Sequence, residues 1–149
     1  MSSHHWRGCC GLSVLGIPGK EGGLVQPVQP GITAEMTITT TPEMGITHLG
    51  KDAPSFFSTP SMIGLMEQTA IKAITPYLDP GEQTVGVQVN VSHIAATPIG
   101  MQVTARVRLL EVKGRRLVFA VEAYNEKEKI GEGTHERAVI NIDRFTKKG

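Results

Sequence analysis

The amino-acid sequence predicts an α+β fold in which an antiparallel sheet packs on one long helix. Two observations carry this prediction. A single helical segment spans residues 59–78, and four segments with strand-like patterns and short turns follow it. A further strand-like segment precedes the helix. Runs of strands beside one helix are typical of a layered α+β domain.

The part of the chain before the helix contains one half-buried strand and a loop. Apolar residues alternate with polar ones, as in a strand with one buried face, at Ile32, Ala34, Met36 and Ile38. Residues 41–58 contain two prolines and two glycines. We therefore predict that this stretch is mostly loop, ending in the aromatic pair Phe56 and Phe57.

The helix has defined boundaries in the sequence. Thr59 is a residue type that caps helix N-termini, and Pro60 suits the first helical position. The Asp-Pro-Gly sequence at 79–81 stops the helix after Leu78. The Thr59 hydroxyl would also lie beside the free N–H groups of the helix N-terminus, where an oxyanion or a polarised carbonyl oxygen is favoured. A capping role and a functional role are therefore both open.

One carboxylate interrupts an apolar face of the helix. Glu67 is the only acidic residue between Pro60 and Leu78, and it stands among apolar residues spaced three or four apart. This stripe consists of Ile63, Ile71, Ile74 and Leu78. A buried carboxylate is costly unless it is paired or its pKa rises, so Glu67 either reaches water at the edge of the stripe or has a chemical role. A second apolar face, fit to pack on the sheet or on a partner, comprises Met62, Met66, Ala70 and Ala73.

Four strands follow the helix. We predict them at Thr84–Ala95, 101–112, 116–125 and about 130–142, separated by turns at 113–115 and 126–129. On the first of them, alternation places one set of valines on the core side: Val85, Val87, Val89 and Val91. His93 continues their phase. A lone inward histidine is more often a satisfied core residue than a catalyst, but the helix packs on the same sheet face. Glu67 and His93 could then meet as an acid/base pair.

Two further features have both an ordinary and a functional reading. Gly86, on the same strand as His93, either marks a β-bulge or lets a ligand approach the backbone. The stretch Gly133–Arg137 is unusually polar for a strand, and without further information it is best interpreted as a solvated sheet edge.

Composition excludes several classes of protein. The 149 residues carry 15 basic and 14 acidic side chains, so there is no basic footprint for nucleic acid. No apolar run approaches the ~20 residues that span a bilayer. The two cysteines, Cys9 and Cys10, are adjacent and lack the spacing of a zinc site, so we expect no metal and a reducing, cytoplasmic location. Residues 1–30, rich in Gly and Pro, are predicted to be a flexible N-terminal extension to one domain at 31–145.

Five segments, in matching order and spacing, resemble the fluoroacetyl-CoA thioesterase family. They are Gly64–Glu67 on the helix, Pro76–Glu82 at its end, Val91–Gly100 on the long strand, Gly114–Leu117 in the hairpin and Gly131–Ile140 near the C-terminus. The likeness covers about residues 32–143. It implies the hot-dog fold, in which an antiparallel sheet wraps one long helix, two subunits pair and the active site lies at their interface.

The resemblance also implies site residues and a substrate. The catalytic Thr, Glu and His of the family fall on Thr59, Glu67 and His93, while Gly86 would lie near the thioester carbonyl and Arg137 would be the active-site arginine. The substrate would be a small acyl-CoA, with no further cofactor. Candidate substrate contacts are the aromatic Phe56 and Phe57 before the helix, and Arg115 and Arg116 for the coenzyme A phosphates. Gln68 stands where the fluoroacetyl-specific member has Trp, so discrimination of fluorine is not inferred.

Two chemical routes and two rival functions are open at this point. His93 could act as base and then acid with Glu67 orienting it, or Glu67 could attack the thioester directly. One rival is a non-catalytic hot-dog module that binds acyl-CoA as a sensor, although binding alone needs no acid/base pair. The other is an enoyl-CoA hydratase, whose closely spaced Asp and His are not evident in the sequence.

Overall fold

One long helix lies across a five-stranded antiparallel sheet in the computed structural model, which describes residues 27–148. The strands are β1 (Thr33–Thr39), β2 (Glu82–His93), β3 (Gln102–Lys113), β4 (Arg116–Tyr124) and β5 (Lys129–Asn141). The helices are α1 (Thr59–Ile74) and α2 (Ile142–Lys148), with short 3-10 turns at Pro42–Met44 and Thr75–Tyr77. The strand order is β1-β3-β4-β5-β2. The α+β prediction and all five predicted strands are confirmed, whereas α2 was not predicted.

The predicted N-terminal extension falls largely outside the described residues. Of residues 1–30 only the last four are described, and among these Val28 packs against the hydrophobic core. None of the helices within 27–148 is long and apolar enough to cross a membrane.

The core lies between α1 and the inner face of the sheet. The helix buries Met62, Leu65, Met66, Thr69, Ala70, Ala73 and Ile74. The facing strands bury, among others, Val103, Ala105, Val107, Leu109, Leu117, Phe119, Val121 and Ala123. The prediction that the stripe containing Glu67 faces the core is therefore wrong for Ile63 and Ile71, which are half-buried. The second apolar face packs on the sheet instead, because the small side chains of Ala70 and Ala73 let the helix approach closely.

The helix boundaries differ from the prediction at both ends. Ser58 is the N-cap, and its hydroxyl oxygen accepts a hydrogen bond from the backbone N–H of Ser61 at 3.2 Å. Thr59 is thus the first helical residue and not the cap. At the other end the α-helix stops at Ile74 and tightens into a 3-10 turn, because Pro76 has no N–H with which to continue the α-helical pattern.

A β-bulge in β2 changes which side chains face the helix. Gly86 pairs with Arg137 of β5 and Gln88 pairs with Glu136, so Val87 is the extra residue. A bulge of one residue reverses the alternation of side chains beyond it. Gly86 therefore lies on the inner face, as does His93 on the far side of the bulge. The expectation that the β2 valines line the core is wrong for Val85, which lies on the other face, and for Val87 and Val89, which are 42% and 38% exposed. The interpretation of Gly86 as a bulge marker is confirmed.

Gly133 should tolerate no side chain, because β2 and β5 approach each other closely there. A Cβ at Gly133 would lie 2.1 Å from the Asn90 carbonyl oxygen and 2.6 Å from Val91 Cα. Both atoms are backbone and can yield only if the strands separate. We expect Gly133→Ala to lower the free energy of unfolding by about 1–3 kcal/mol or more, measured by urea denaturation. The matched control Thr134→Ala, at the exposed neighbouring position, should change it by less than about 0.5 kcal/mol; equal stabilities of the two variants would contradict this account.

Candidate active site

A hydroxyl and an imidazole meet where α1 begins and β2 ends. The Thr59 hydroxyl oxygen lies 2.7 Å from His93 Nδ1, a hydrogen bond between the first turn of the helix and the last residue of the strand. Ser58 already caps the helix, so the Thr59 hydroxyl is available for this contact. The sequence prediction that His93 points toward the helix side of the sheet is confirmed.

Burial favours the neutral form of His93. Burial lowers the pKa of His93 from its ordinary value of 6.5, because a low-dielectric environment disfavours the charged imidazolium. Its second ring nitrogen, Nε2, is buried and has no hydrogen-bond partner in the part of the chain that the structure describes. Buried polar atoms are normally paired, so this nitrogen is suited to a substrate or to a group of a second subunit.

An open apolar cavity adjoins this pair. Its volume is about 390 Å³, and it is lined by Ile46, Phe56, Phe57, Thr59, His93, Ile94, Ala95 and Ala96. Phe56 and Phe57 thus both lie beside Thr59 and His93, as candidate substrate contacts should. Phe57 is also part of the core, since only 1% of its surface is exposed, whereas Phe56 remains partly exposed.

A second polar cluster surrounds Glu67 in the middle of α1. The carboxylate oxygen Oε2 lies 3.8 Å from a terminal nitrogen of Arg137 and 3.9 Å from His135 Nε2. It also packs on the backbone of Gly86: a Cβ at that position would be 2.8 Å from the same oxygen. The absence of a side chain at Gly86 therefore lets the Glu67 carboxylate reach β2 and β5.

Arg137 and His135 form the base of this cluster. The Arg137 guanidinium donates to the Thr84 hydroxyl at 2.8 Å and to the Thr84 carbonyl at 2.9 Å, and its third contact is His135 Nε2 at 3.1 Å. His135 Nδ1 lies 2.9 Å from the carbonyl oxygen of Gln88. A carbonyl only accepts, so we assign the proton to Nδ1, which leaves Nε2 to accept from Arg137.

These contacts overturn the interpretation of Gly133–Arg137 as a solvated edge. His135 is 2% exposed and Arg137 is 4% exposed. Burial is the main cause that lowers the pKa of His135 and the pKa of Arg137. For His135, the hydrogen bond to Gln88 and the charge of Glu67 oppose this shift, while the charge of Arg137 adds to it. No pattern in the sequence singles out His135, although its place two residues before Arg137 puts it on the same face of β5.

The two clusters do not meet within one chain. Thr59 and Glu67 are eight residues apart on α1, or roughly 12 Å along the helix axis. Across residues 27–148 no hydrogen bond or ion pair joins Glu67 to His93. The expected acid/base pair is therefore wrong for a single subunit, because the helix runs along β2 and places each residue beside a different part of that strand. In the same residues, no group of three His, Cys, Asp or Glu side chains could hold a metal.

The two hairpin arginines lie on different faces of the sheet. Arg115 donates to the Val139 carbonyl at 2.9 Å and pairs with Glu82 at 3.1 Å. Arg116 pairs with Glu136, which projects from the outer face because it alternates with the buried His135 and Arg137. The two side chains therefore do not form one common phosphate site.

Comparison with known proteins places this geometry in a family. The model of the fluoroacetyl-CoA-specific thioesterases matches residues 33–143. The chain belongs to the fluoroacetyl-CoA-specific thioesterase family. A fluoroacetyl-CoA thioesterase of Streptantibioticus cattleyicolor is 43% identical over 113 residues, which cover 72% of this chain and 81% of that one. The chain is therefore a thioester hydrolase with the hot-dog fold.

Solved structures agree with the family assignment. A fluoroacetyl-CoA thioesterase structure superposes with a TM-score of 0.73 at 38% identity, covering 83% of this chain and 94% of the other. A thioesterase superfamily member from Thermus thermophilus superposes with a TM-score of 0.75 at 32% identity, covering 83% and 91%. The predicted hot-dog architecture is thereby confirmed.

The buried His135 should make the stability of the fold depend on pH. Its pKa is lower in the folded chain than its ordinary value of 6.5, so the unfolded chain binds more protons below that pH. Stability is then fully present above about pH 6.5 and is lost as the pH falls toward the folded-state pKa. We expect the melting temperature to fall between pH 7.5 and 5.5, and to fall less in His135→Gln, which cannot titrate.

The matched control for this measurement is His48→Gln, at an exposed loop position. Its melting temperature should follow the wild-type pH dependence. Parallel curves for wild type and His135→Gln would show that His135 does not contribute.

Proposed function

We propose that this protein hydrolyses short acyl-CoA thioesters to the free acid and coenzyme A. The observation that carries this proposal is the position of the Glu67 carboxylate. It lies directly on the Gly86 backbone and is held there by the buried Arg137. Family membership and the neutral His93 beside an apolar cavity support the same function.

Each residue has a role that follows from its surroundings. The thioester carbonyl oxygen would bind near the Gly86 backbone, beside the Glu67 carboxylate, with the Thr59 hydroxyl of the second subunit assisting. Glu67, fixed by Arg137, would supply the attacking oxygen, either its own or that of a water it deprotonates. As the C–S bond breaks, the departing sulfur would receive, by way of His93, the proton released by the water that attacks the thioester or that hydrolyses the Glu67 anhydride, so that His93 ends neutral as it began. His135 would act as a positioning residue, because it touches Arg137 and not the substrate.

The acyl group is proposed to be small. The cavity of about 390 Å³ next to His93 is lined by Phe56 and by Phe57, whose burial in the core fixes its ring. The polar Gln68 follows Glu67, so the feature associated by resemblance with fluoroacetyl specificity is absent. We therefore propose a short acyl chain, and we do not propose selectivity for a fluorinated one. A cytoplasmic location stays a prediction.

We further propose that the active unit is a homodimer formed through the free edge of β2. This edge exposes Val87 and Val89, which are 42% and 38% accessible. Exposed strand edges with apolar side chains are normally covered. If two copies of β2 pair antiparallel about a two-fold axis between Val89 and Asn90, His93 of one subunit comes opposite Gly86 of the other. The Thr59–His93 pair would then complete the Glu67 cluster of its partner.

Hydrolysis is tested by incubating the protein with acetyl-, fluoroacetyl- and longer acyl-CoAs and following free thiol. We expect short chains to be hydrolysed fastest. Glu67→Gln and His93→Ala should each lower kcat/KM by roughly 10²–10⁴-fold while keeping the melting temperature. Glu128→Gln, an equivalent substitution in an exposed turn, should leave kcat/KM unchanged. Saturable binding without thiol release would contradict hydrolysis and favour an acyl-CoA sensor.

The shared site is tested by mixing two inactive variants. A dimer of one Glu67→Gln and one His93→Ala subunit contains one site with both native residues and one with neither. Random subunit exchange makes half of the dimers mixed, and each mixed dimer has one intact site out of two. We therefore expect about a quarter of wild-type activity to return. Native mass spectrometry provides the control that mixed dimers form. If they form and activity stays at the level of the separate variants, the site lies within one chain.

A further inference from the structure

A groove lies at the end of β2 that is remote from His93. It has a volume of about 810 Å³ and is lined by Glu82, Arg115, Val139, Ile140, Asn141, Arg144 and Phe145. Two of these residues, Arg144 and Phe145, come from α2. The groove therefore exists because the chain turns back as a helix after β5 and forms a second wall.

The groove carries an excess of positive charge. The guanidinium of Arg115 is fixed by Glu82 and by the Val139 carbonyl, so this pair is electrically neutral. The side chain of Arg144 makes no hydrogen bond or ion pair within residues 27–148; only its backbone N–H is bonded, to Asn141. One cation without a protein partner thus lines a groove that also contains the remaining N–H groups of Arg115.

An aromatic ring lies beside the free cation. Phe145 follows Arg144 in α2, lines the same groove and is 53% exposed. An exposed phenylalanine ring offers a stacking surface for a nucleobase, and such stacking is tolerant of base identity. An unpaired guanidinium binds phosphate oxygens through planar, paired hydrogen bonds. Together the two side chains present the complementary features of a phosphorylated nucleoside.

The groove is at a suitable distance from the proposed site. Glu82 and Gly86 lie on the same strand, on the same face and four residues apart, which corresponds to roughly 13 Å. The pantetheine arm of coenzyme A has about as many chain atoms between its sulfur and its diphosphate as four residues of extended polypeptide. A pantetheine arm whose thioester carbonyl lies at Gly86 is therefore long enough for its nucleotide end to reach this groove.

We infer that the groove formed by Arg115, Arg144 and Phe145 binds the nucleotide of the acyl-CoA substrate. The adenine stacks on Phe145, while the phosphates bind Arg144 and the free N–H groups of Arg115. This inference rests on the proposed function for the identity of the ligand. It assigns Arg115, but not Arg116, to the coenzyme A phosphates.

The first test compares an acyl-CoA with the same acyl-pantetheine, which lacks the nucleotide. Arg144→Gln and Phe145→Ala should each raise KM for the acyl-CoA about tenfold, the loss expected for one hydrogen bond to a charged group or one stacked base. Neither variant should change kcat, and neither should change KM for acyl-pantetheine. Lys127→Gln and Leu110→Ala, exposed residues away from the groove, are the matched controls. Equal effects on both substrates, or no effect on either, would overturn the assignment.

The second test measures binding without catalysis, so that it stands even if the protein hydrolyses no acyl-CoA. Isothermal titration of the wild-type chain with coenzyme A and with adenosine 3′,5′-bisphosphate should show binding of both, weakened about tenfold in Arg144→Gln. If coenzyme A binds more tightly than the bisphosphate, the groove recognises the nucleotide as part of coenzyme A. Equal affinity for AMP and coenzyme A would overturn the assignment to coenzyme A, and undiminished coenzyme A binding in Arg144→Gln would overturn the assignment of the groove altogether.

Discussion

A guanidinium buried between a helix and a sheet must be neutralised and fully hydrogen-bonded, and the arrangement around Arg137 depends on this constraint. An unpaired buried charge would cost several kcal/mol. Thr84 supplies a hydroxyl and a carbonyl, His135 supplies a ring nitrogen and Glu67 supplies the opposite charge. These partners come from α1, β2 and β5. The polar cluster therefore ties together the three elements that form the candidate site.

Two backbone features make this cluster possible. Gly86 leaves room for the Glu67 carboxylate, and the bulge that follows it brings the Gln88 carbonyl to His135. That hydrogen bond sets the tautomer, so the His135 lone pair faces Arg137. The same bulge turns His93 toward the helix. A local irregularity of one residue thus organises both halves of the site.

The free edge of β2 links the fold to its proposed assembly. A single subunit holds the Thr59–His93 pair and the Glu67–Arg137 cluster at separate places along one strand. That strand is at the sheet edge and exposes apolar side chains, so the proposed pairing with a second copy would cover them. Pairing of two β2 edges would then cover Val87 and Val89 and complete the active site at the same time.

Periodicity and turn chemistry in the sequence determined the strands, the long helix and the unusual positions of Glu67 and His93, because these depend on local spacing and on residues near in the chain. The resemblance added Arg137 and the place of Gly86 near the thioester carbonyl. The tertiary structure alone decided that Ser58 caps the helix, that the Met62 face packs inward and that His135 supports Arg137. It also showed that Glu67 and His93 do not meet in one subunit. Such facts depend on which distant backbones approach one another, and a one-residue bulge is enough to reverse what alternation predicts.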